Sequence, residues 1–222
     1  MWTDRAGLGR RLGGLARGVA AAGRALGCTI DVGTAGHVTR HVLDAVNDGV
    51  EERTVRKVTG PVSGAGVWLK VFDDPATVGG RLGEGWWINP EPGHLMPVPL
   101  TATEPPAVPD GYRVRAWTRG GVTRVLLAAP DGSWATRGQV APTGRTAVVD
   151  QVETSPAHRR RGLGSFVMRT LTREAVAQGA ERGVLAGTPD GRALYEALGR
   201  RVEAPLTSAK FVGTAVEGSW AG

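Results

Sequence analysis

The stretch TSPAHRRRGLGSFVMRTL, residues 154–171, joins a strand pattern to a helix pattern through a short turn of arginines and glycines. Before it, residues 146–154 (TAVVDQVET) are rich in β-branched residues and predict a strand. After it, apolar residues recur at helical spacing over 163–178, and Gly179 provides a helix stop. The apolar stripe of this predicted helix consists of Leu163, Val167, Leu171 and Ala175. A strand that turns directly into a helix begins a fold of sheet and helix layers.

The patterns on either side of this unit extend the predicted sheet. Downstream, residues 184–186 predict a strand, 190–198 a helix and 201–206 a further strand. Upstream, GYRVRAW at 111–117 alternates as a strand, and a hairpin is predicted around residues 130–132. Antiparallel strands followed by a β-α-β-α-β order predict the α/β (mixed α+β) class, with a mixed sheet flanked by helices.

The first 100 residues give more mixed patterns. Residues 1–28 place arginines and glycines around a leucine stripe, which indicates a weak N-terminal helix or a basic helix on a membrane surface. HVTRHVLDAV at 37–46 fits a strand or a short helix, residues 50–60 a helix, and VWLKVF at 67–72 a strand.

Two stretches rich in proline follow. Residues 80–100 hold Trp86, Trp87 and His94 among glycines and prolines, and they predict an aromatic loop. This loop would either line a substrate site or pin the N-terminal segment to the core. TATEPPAVPD at 101–110 predicts an extended linker.

These patterns divide the chain into four parts. We expect an N-terminal extension or subdomain over 1–100, the linker over 101–110, a main domain over 111–213 and a tail over 214–222.

Charge and cysteine content narrow the function classes. A net charge of +6 favours anionic partners, and no apolar stretch approaches the roughly 20 residues that cross a bilayer. The single cysteine, Cys28, excludes an intrachain disulfide. With no secretory signal pattern, this predicts a cytoplasmic protein. The four histidines lack HExxH-type spacing, so no metal site is predicted.

The arginine-glycine turn at 159–164 has the local properties of a phosphate site. Gly162 and Gly164 have no Cβ, so the backbone there can turn sharply and approach a ligand closely. The first turn of the following helix leaves backbone N–H groups without partners at a positive dipole end. Flanking arginines would add charge-assisted hydrogen bonds. The residues alone also allow a solvated turn or a nucleic-acid patch.

The motif itself is R-x-x-G-x-G at Arg159, Gly162 and Gly164. It is neither a P-loop nor the dinucleotide fingerprint, in which Val167 would have to be glycine. Set between a strand and a helix, it resembles the acetyl-CoA motif Q/R-x-x-G-x-G/A of the GNAT-type N-acetyltransferases. GTPDGRALYEALG at 187–199 also resembles a later helix of that family, where a tyrosine precedes a Leu-Gly stop. The resemblance covers residues 111 to about 211.

The resemblance implies a GNAT-like central mixed sheet and an acetyl-CoA site without a metal. The pyrophosphate would lie on the backbone amides from Arg160 through Ser165, and the pantetheine arm beside strand residues 152–154, where two parallel strands splay apart. Thr188 falls where many relatives have an asparagine that contacts pantetheine. The cofactor-binding residues implied are Val152, Glu153, Thr154, Arg159, Arg160, Arg161, Gly162, Leu163, Gly164, Ser165 and Thr188.

The resemblance also implies acetyl transfer to an amine by direct attack in a ternary complex. Tyr195 holds the position of the general acid, and an ordinary tyrosine pKa of about 10 keeps it protonated at neutral pH. Its residue type also fits the edge of a core. A backbone N–H near Glu153 would polarise the thioester carbonyl. The amine needs a base, for which Glu153 is our candidate and Asp150 and His94 are alternatives. In a regular strand Asp150 and Glu153 point to different faces, and a bulge would change this.

The chain departs from the family at two places. Only residues 118–121 separate the first two predicted strands, where the family has two helices that shape the acceptor site. The N-terminal residues, folded over the sheet or forming a degenerate sister domain, would replace these helices. Trp86 and Trp87 suit an aromatic or cationic acceptor. Arg200 stands where the family has an aromatic residue.

Two other function classes are considered. A non-catalytic acyl-CoA sensor is the alternative to the enzyme, and a nucleic-acid binder is disfavoured because no binding module is present. The predicted partners are acetyl-CoA or CoA and a small-molecule or peptide amine, with no membrane partner. A homodimer is compatible with the resemblance.

Overall fold

The computed structural model describes residues 28–34, 37–43 and 51–213, with side chains from residue 38 onward within these ranges. The helix predicted over 1–28 and the tail predicted over 214–222 therefore lie outside the described residues, apart from Cys28 itself. A mixed sheet of twelve described strands, flanked by helices, is the centre of the fold. This confirms the predicted fold class.

The described part of the N-terminal half contributes six strands and two helices. The segment 37–43 is a strand, and the helix predicted over 50–60 and the strand over 67–72 are confirmed. Residues 80–100 are mostly turns and irregular chain, as the loop-rich pattern predicted, but three strands of two or three residues form there by pairing with β11 and β12. The elements are β1 (Cys28–Thr34), β2 (His37–Leu43), α1 (Glu52–Thr59), β3 (Val67–Val71), α2 (Pro75–Gly79), β4 (Trp86–Ile88), β5 (Gly93–Leu95) and β6 (Val98–Pro99).

The C-terminal half follows the predicted order. The hairpin around 130–132 joins two antiparallel strands, and residues 101–109 form no regular element. The last strand begins and ends later than predicted, because its partners are strands of the N-terminal half. The elements are β7 (Arg113–Arg119), β8 (Val122–Ala128), β9 (Trp134–Thr143), β10 (Thr146–Thr154), a 3₁₀ turn (Pro156–His158), α3 (Leu163–Ala177), β11 (Arg182–Gly187), α4 (Pro189–Ala197) and β12 (Ala204–Phe211).

Two apolar clusters hold helices on the sheet. The predicted stripe of α3 is buried against β8, β9 and β10, with Leu163, Val167, Leu171 and Ala175 each 1% exposed or less. In the N-terminal half, Val55 of α1 and Val78 of α2 pack with Leu69 and Val71 of β3. Strand residues that alternate with these therefore face away from the helices.

The two halves interlock within one sheet. Its order is β1-β2-β3-β12-β5-β11-β10-β9-β8-β7, so β12 of the C-terminal half lies between β3 and β5 of the N-terminal half. In turn, β5 lies antiparallel between β11 and β12. Each half thus receives a strand from the other, and the N-terminal residues that are described extend the sheet sideways.

The same order of elements occurs in both halves. β1 and β2 are antiparallel, α1 then connects β2 to the parallel strand β3, and α2 leads to β4. β9 and β10 are likewise antiparallel, α3 connects β10 to the parallel strand β11, and α4 leads to β12. The N-terminal half therefore repeats the topology of the C-terminal half in shorter elements.

Candidate active site

The parallel strands β10 and β11 separate partway along their length. Residues 146–149 of β10 pair with 182–185 of β11, and the last residues of β11, Ala186 and Gly187, pair with β5 instead. Beyond Val149, β10 continues to Thr154 beside β9 alone. The sheet therefore opens after Val149, where two strands that were neighbours diverge.

A bulge in β10 lies at this opening. Asp150 pairs with Gln139 and Glu153 with Arg137, so three steps along β10 oppose two along β9. Gln151 is the extra residue, with a left-handed φ of 54°. Because Gln139 and Arg137 are two residues apart, Asp150 and Glu153 lie on the same face. The bulge thus removes the alternation expected of a regular strand.

That shared face is the one away from α3. A Cβ on Gly138 would lie 2.7 Å from Val167 Cγ1, so Gly138 faces α3 and its neighbours in β9 face the other way. Glu153 is exposed and its Oε2 accepts a hydrogen bond from Arg137 Nη2 at 2.6 Å. Asp150 Oδ1 accepts from the Gln151 N–H at 2.8 Å.

Asp150 is the half-buried carboxyl of the opening. Burial raises its pKa, while the Gln151 N–H and the charges of Arg40 and Lys70 oppose the rise. Burial lowers the pKa of Lys70 to about 8 and also lowers the pKa of Arg40. Both cations come from β2 and β3 of the N-terminal half, and their charges act on Asp150. Sequence reasoning missed this cluster, because more than 70 residues separate Lys70 from Asp150.

Tyr195 lies in α4, 8% exposed, with glycines against its ring. A Cβ on Gly187 would lie 3.1 Å from the ring and one on Gly191 2.9 Å, so both glycines make room for it. Burial raises the pKa of Tyr195, Arg200 opposes this and Asp150 adds to it. The side chain therefore stays protonated at neutral pH and lies within electrostatic reach of Asp150.

The arginine-glycine turn connects this region to α3. Gly162 is the residue before the helix, with φ 75° and ψ 0°, and Arg160 has φ 60°. No side chain caps α3. Its first backbone hydrogen bond is donated by the Phe166 N–H to Gly162 O at 3.1 Å. The N–H groups before Phe166 are therefore available to a ligand at the helix N-terminus.

The three arginines of the turn do not share one environment. Arg161 Nη1 donates to Tyr112 Oη at 3.3 Å, and this hydroxyl is 3.1 Å from His158 Nδ1. Arg159 Nε donates to Thr154 O at 3.5 Å. Tyr112 and His158 thus support the turn, and the sequence analysis had assigned neither of them.

Other predicted residues flank the turn or lie apart from it. Thr188 is the N-cap of α4, because its Oγ1 accepts the Gly191 N–H at 3.3 Å. Gly164 lies against α4, where a Cβ would be 3.0 Å from Leu194 Cδ2. Trp86 packs edge-on against Phe211, with 5.5 Å between the ring centres, beside the apolar cluster that holds α1 and α2 on the sheet. Its neighbour Trp87 is 46% exposed.

His94 and Arg200 lie where the halves interlock. His94 of β5 pairs with Gly187 and with Pro205, so it borders the opening from the N-terminal half. Arg200 is buried and its Nη1 donates to Met96 O at 2.8 Å and Gly183 O at 3.2 Å. Arg200 therefore ties β11 to the chain that follows β5.

Two further features bear on the site. Among the described residues, no group of three His, Cys, Asp or Glu side chains is placed to hold a metal ion. The described helices are all too short or too polar to span a membrane.

The candidate site is thus an opening between two parallel strands of a mixed sheet, beside the uncapped N-terminus of a helix. Residues 110–199 match the Acetyltransferase (GNAT) family. The family model thus matches the C-terminal half of the chain, where the resemblance placed it. No curated protein matches the sequence.

Solved structures share the fold over most of the chain. A GCN5-related N-acetyltransferase from Kribbella flavida has a TM-score of 0.62 at 17% identity, covering 96% of this chain and 98% of that one. A tandem GNAT protein from the clavulanic acid biosynthesis pathway has a TM-score of 0.55 at 15% identity, covering 85% of this chain and 80% of that one. A GCN5-related N-acetyltransferase from Sphaerobacter thermophilus has a TM-score of 0.55 at 14% identity, covering 87% of this chain and 79% of that one. At these identities the likeness establishes the fold.

Proposed function

We propose that this protein is a cytoplasmic N-acetyltransferase that moves the acetyl group of acetyl-CoA to an amine by direct attack in a ternary complex. The observation that carries the proposal is the opening between β10 and β11 beside the uncapped N-terminus of α3. Such a helix end attracts phosphate through its free N–H groups and its dipole. The single cysteine supports the compartment.

The proposed cofactor seat is formed by the turn and the edge of β10. The N–H groups of Arg160 through Ser165 would bind the pyrophosphate, and the left-handed Gly162 leaves open space above the turn, since a Cβ there would meet nothing within 4 Å. Residues 152–154 would pair with the pantetheine arm along the open edge of β10. Thr188 would approach the pantetheine arm from the start of α4, while its hydroxyl accepts the hydrogen bond from the Gly191 N–H.

We assign the base to Asp150 in place of Glu153. Glu153 is exposed and ion-paired with Arg137, which favours a fixed surface role. Asp150 lies on the same face at the opening, and burial raises its pKa toward the range of a useful base. The amine would give its proton to an Asp150 oxygen as its nitrogen attacks the thioester carbonyl, and the C–S bond would then break.

Tyr195 is the proposed acid. The departing thiolate would take the phenolic proton of Tyr195, which burial keeps in place at neutral pH. A backbone N–H near the bulge, at Val152 or Glu153, would polarise the carbonyl. Water would restore the proton of Tyr195 after CoA leaves.

The N-terminal half is proposed to be a degenerate GNAT repeat that supplies the acceptor side. Its repeated β-β-α-β-α-β order supports this, and the likeness to a tandem GNAT protein agrees. The domain division proposed is therefore 1–100 and 111–213 joined by 101–110, with the two parts sharing one sheet.

Thiol release from acetyl-CoA with a panel of amines tests the proposal, and mass spectrometry identifies the product. Asp150→Asn should lower kcat by about 10²-fold or more, while Glu153→Gln, on the same face, should stay within a few-fold of wild type. Tyr195→Phe should lower kcat by about 10²-fold without changing Tm. Equal losses in Asp150→Asn and Glu153→Gln would contradict the assignment of the base. Binding of acetyl-CoA without transfer to any amine would favour the acyl-CoA sensor.

A further inference from the structure

A buried polar group beside Asp150 lacks a partner. Gln139 lies in β9 directly opposite Asp150 and is 3% exposed. Its Nε2 is the buried side-chain nitrogen that finds no hydrogen-bond acceptor among the described residues. A buried amide donor without a partner costs about 1–3 kcal/mol, so a ligand oxygen that accepts from it would be strongly favoured.

Two cations face the same place from the N-terminal half. Arg40 pairs with Trp68 across β2 and β3, and Lys70 follows two residues after Trp68. Because Leu69 and Val71 face the helices, Arg40 and Lys70 lie on the helix-free face. Lys70 Nζ donates to Ser208 Oγ at 2.5 Å and lies 5.3 Å from the centre of the Trp68 ring. This face is therefore basic and aromatic where it meets the opening.

The charges of both cations act on the Asp150 carboxylate, and Arg40 has a further partner of its own in the protein. Lys70 and Gln139 are hydrogen-bond donors on the same face as this carboxylate, and Arg40 adds positive charge there. A group bound at this place would accept hydrogen bonds and carry negative charge.

The cofactor does not account for these donors. Its proposed phosphate seat is the turn before α3, beyond the end of β10, whereas Gln139 and Asp150 lie within the strands on the face away from α3. The donors face the point where the acceptor amine would attack. They therefore belong to the acceptor side of the site.

We propose that the acceptor is a small amine that carries a compact anionic group, a carboxylate or a phosphate, bound by Lys70 and Gln139, with the charge of Arg40 favouring the anion. This inference rests on the proposed transferase function. The anion would lie between the two donors, and the amine would lie beside Asp150, which takes its proton. The cationic or purely aromatic acceptor suggested by the tryptophans is disfavoured, because Trp86 packs on the helix side and Trp68 is flanked by Lys70 and Lys210.

Matched amine pairs test the acceptor class. The probes are α-amino acids against their amides and phosphoethanolamine against ethanolamine, each assayed by thiol release with acetyl-CoA. We expect wild type to prefer the anionic member by at least tenfold in kcat/KM, and the two kinds of pair distinguish carboxylate from phosphate. Lys70→Met and Gln139→Leu should each reduce that preference several-fold. Lys57→Met, which removes a lysine from the exposed side of α1, should leave it unchanged.

Two results would overturn the inference: equal kcat/KM for both members of every pair, or an unchanged preference in Lys70→Met. If CoA binds but no amine is acetylated, the transferase proposal fails. In that case, calorimetric titration of the CoA complex with the same amine pairs tests the anion site by itself, through the affinities of the two members of each pair. Tighter binding of the anionic member supports the anion site without catalysis. Equal affinities of the two members contradict it.

Discussion

Replacing Lys70 by methionine should stabilise the protein at neutral pH, and this gain in free energy of unfolding should shrink as the pH rises above 8. Lys70 is half-buried beside Trp68 and Ser208. Its burial, with the charge of Arg40, lowers its pKa from 10.5 to about 8, while Asp150 opposes this. The native state therefore binds the Lys70 proton more weakly than the unfolded chain does. Below pH 8 the native state carries the full cost of the buried charge.

The size of the effect follows from the two pKa values. Between pH 8 and 10.5 the unfolded chain keeps a proton that native Lys70 has lost, so stability rises with pH in this window. Each pH unit is worth 1.36 kcal/mol, which gives about 3 kcal/mol in all. Methionine keeps most of the apolar stem and removes the titration. Loss of the bond to Ser208 subtracts about 1 kcal/mol at every pH.

Urea unfolding of wild type and Lys70→Met at intervals from pH 7 to 10.5 measures this directly. The advantage of the variant in free energy of unfolding should fall by about 3 kcal/mol as pH rises from 8 to 10.5. Other titrating groups are common to both proteins and cancel. Lys57→Met, on the surface of α1, should stay within about 0.5 kcal/mol of wild type throughout. A difference for Lys70→Met that does not change with pH would refute the reasoning.

Two further perturbations test the turn and the packing of α3. Arg160→Gly should leave stability unchanged or raise it by up to about 1 kcal/mol, because it relieves a left-handed φ of 60°. Arg159→Gly is the control, because Arg159 has an ordinary φ of −65° and its replacement relieves no strain. It should destabilise the protein by about 0.4–1 kcal/mol, and thermal unfolding measures both variants. A larger loss of stability in Arg160→Gly than in Arg159→Gly would contradict the argument that Arg160 is strained. Gly138→Ala should cost about 1–3 kcal/mol in urea unfolding, because its Cβ would lie 2.7 Å from Val167. Gly83→Ala, where a Cβ meets nothing within 4 Å, is the matched control, and an equal cost there would contradict the packing argument.

Local pattern was sufficient for the elements that carry their own signal. The α3 stripe, Gly179 after it and the Thr188 cap are set by neighbours in sequence, so the unit from β10 to α4 was predicted nearly residue by residue. The short strands β4, β5 and β6 have no such signal. They exist because β11 and β12 offer hydrogen bonds to them, which no local pattern shows.

The site divides in the same way. The arginine-glycine turn is contiguous in sequence and its motif is readable. The charges that act on Asp150 cannot be read from the sequence, because the fold of the sheet brings Arg40 and Lys70 near Asp150 from distant parts of the chain. The bulge at Gln151 adds a second obstacle, since a glutamine does not signal a left-handed residue and its presence turns Asp150 and Glu153 to one face. Gln139 reads as an ordinary strand residue until its buried, unpartnered amide is seen.

The central claim is that the turn before α3 seats acetyl-CoA, and isothermal titration with acetyl-CoA and CoA tests it most directly. Gly162→Asp and Gly179→Asp form a matched pair, since both glycines have positive φ, of 75° and 86°, and open space around a Cβ. Aspartate suits the helix N-terminus after Gly162 and opposes the dipole near Gly179, so the control is the less stable variant. We expect micromolar or tighter binding in wild type and in Gly179→Asp, and none in Gly162→Asp. No heat from wild type with either CoA species, or equal affinities in the two variants, would contradict the account.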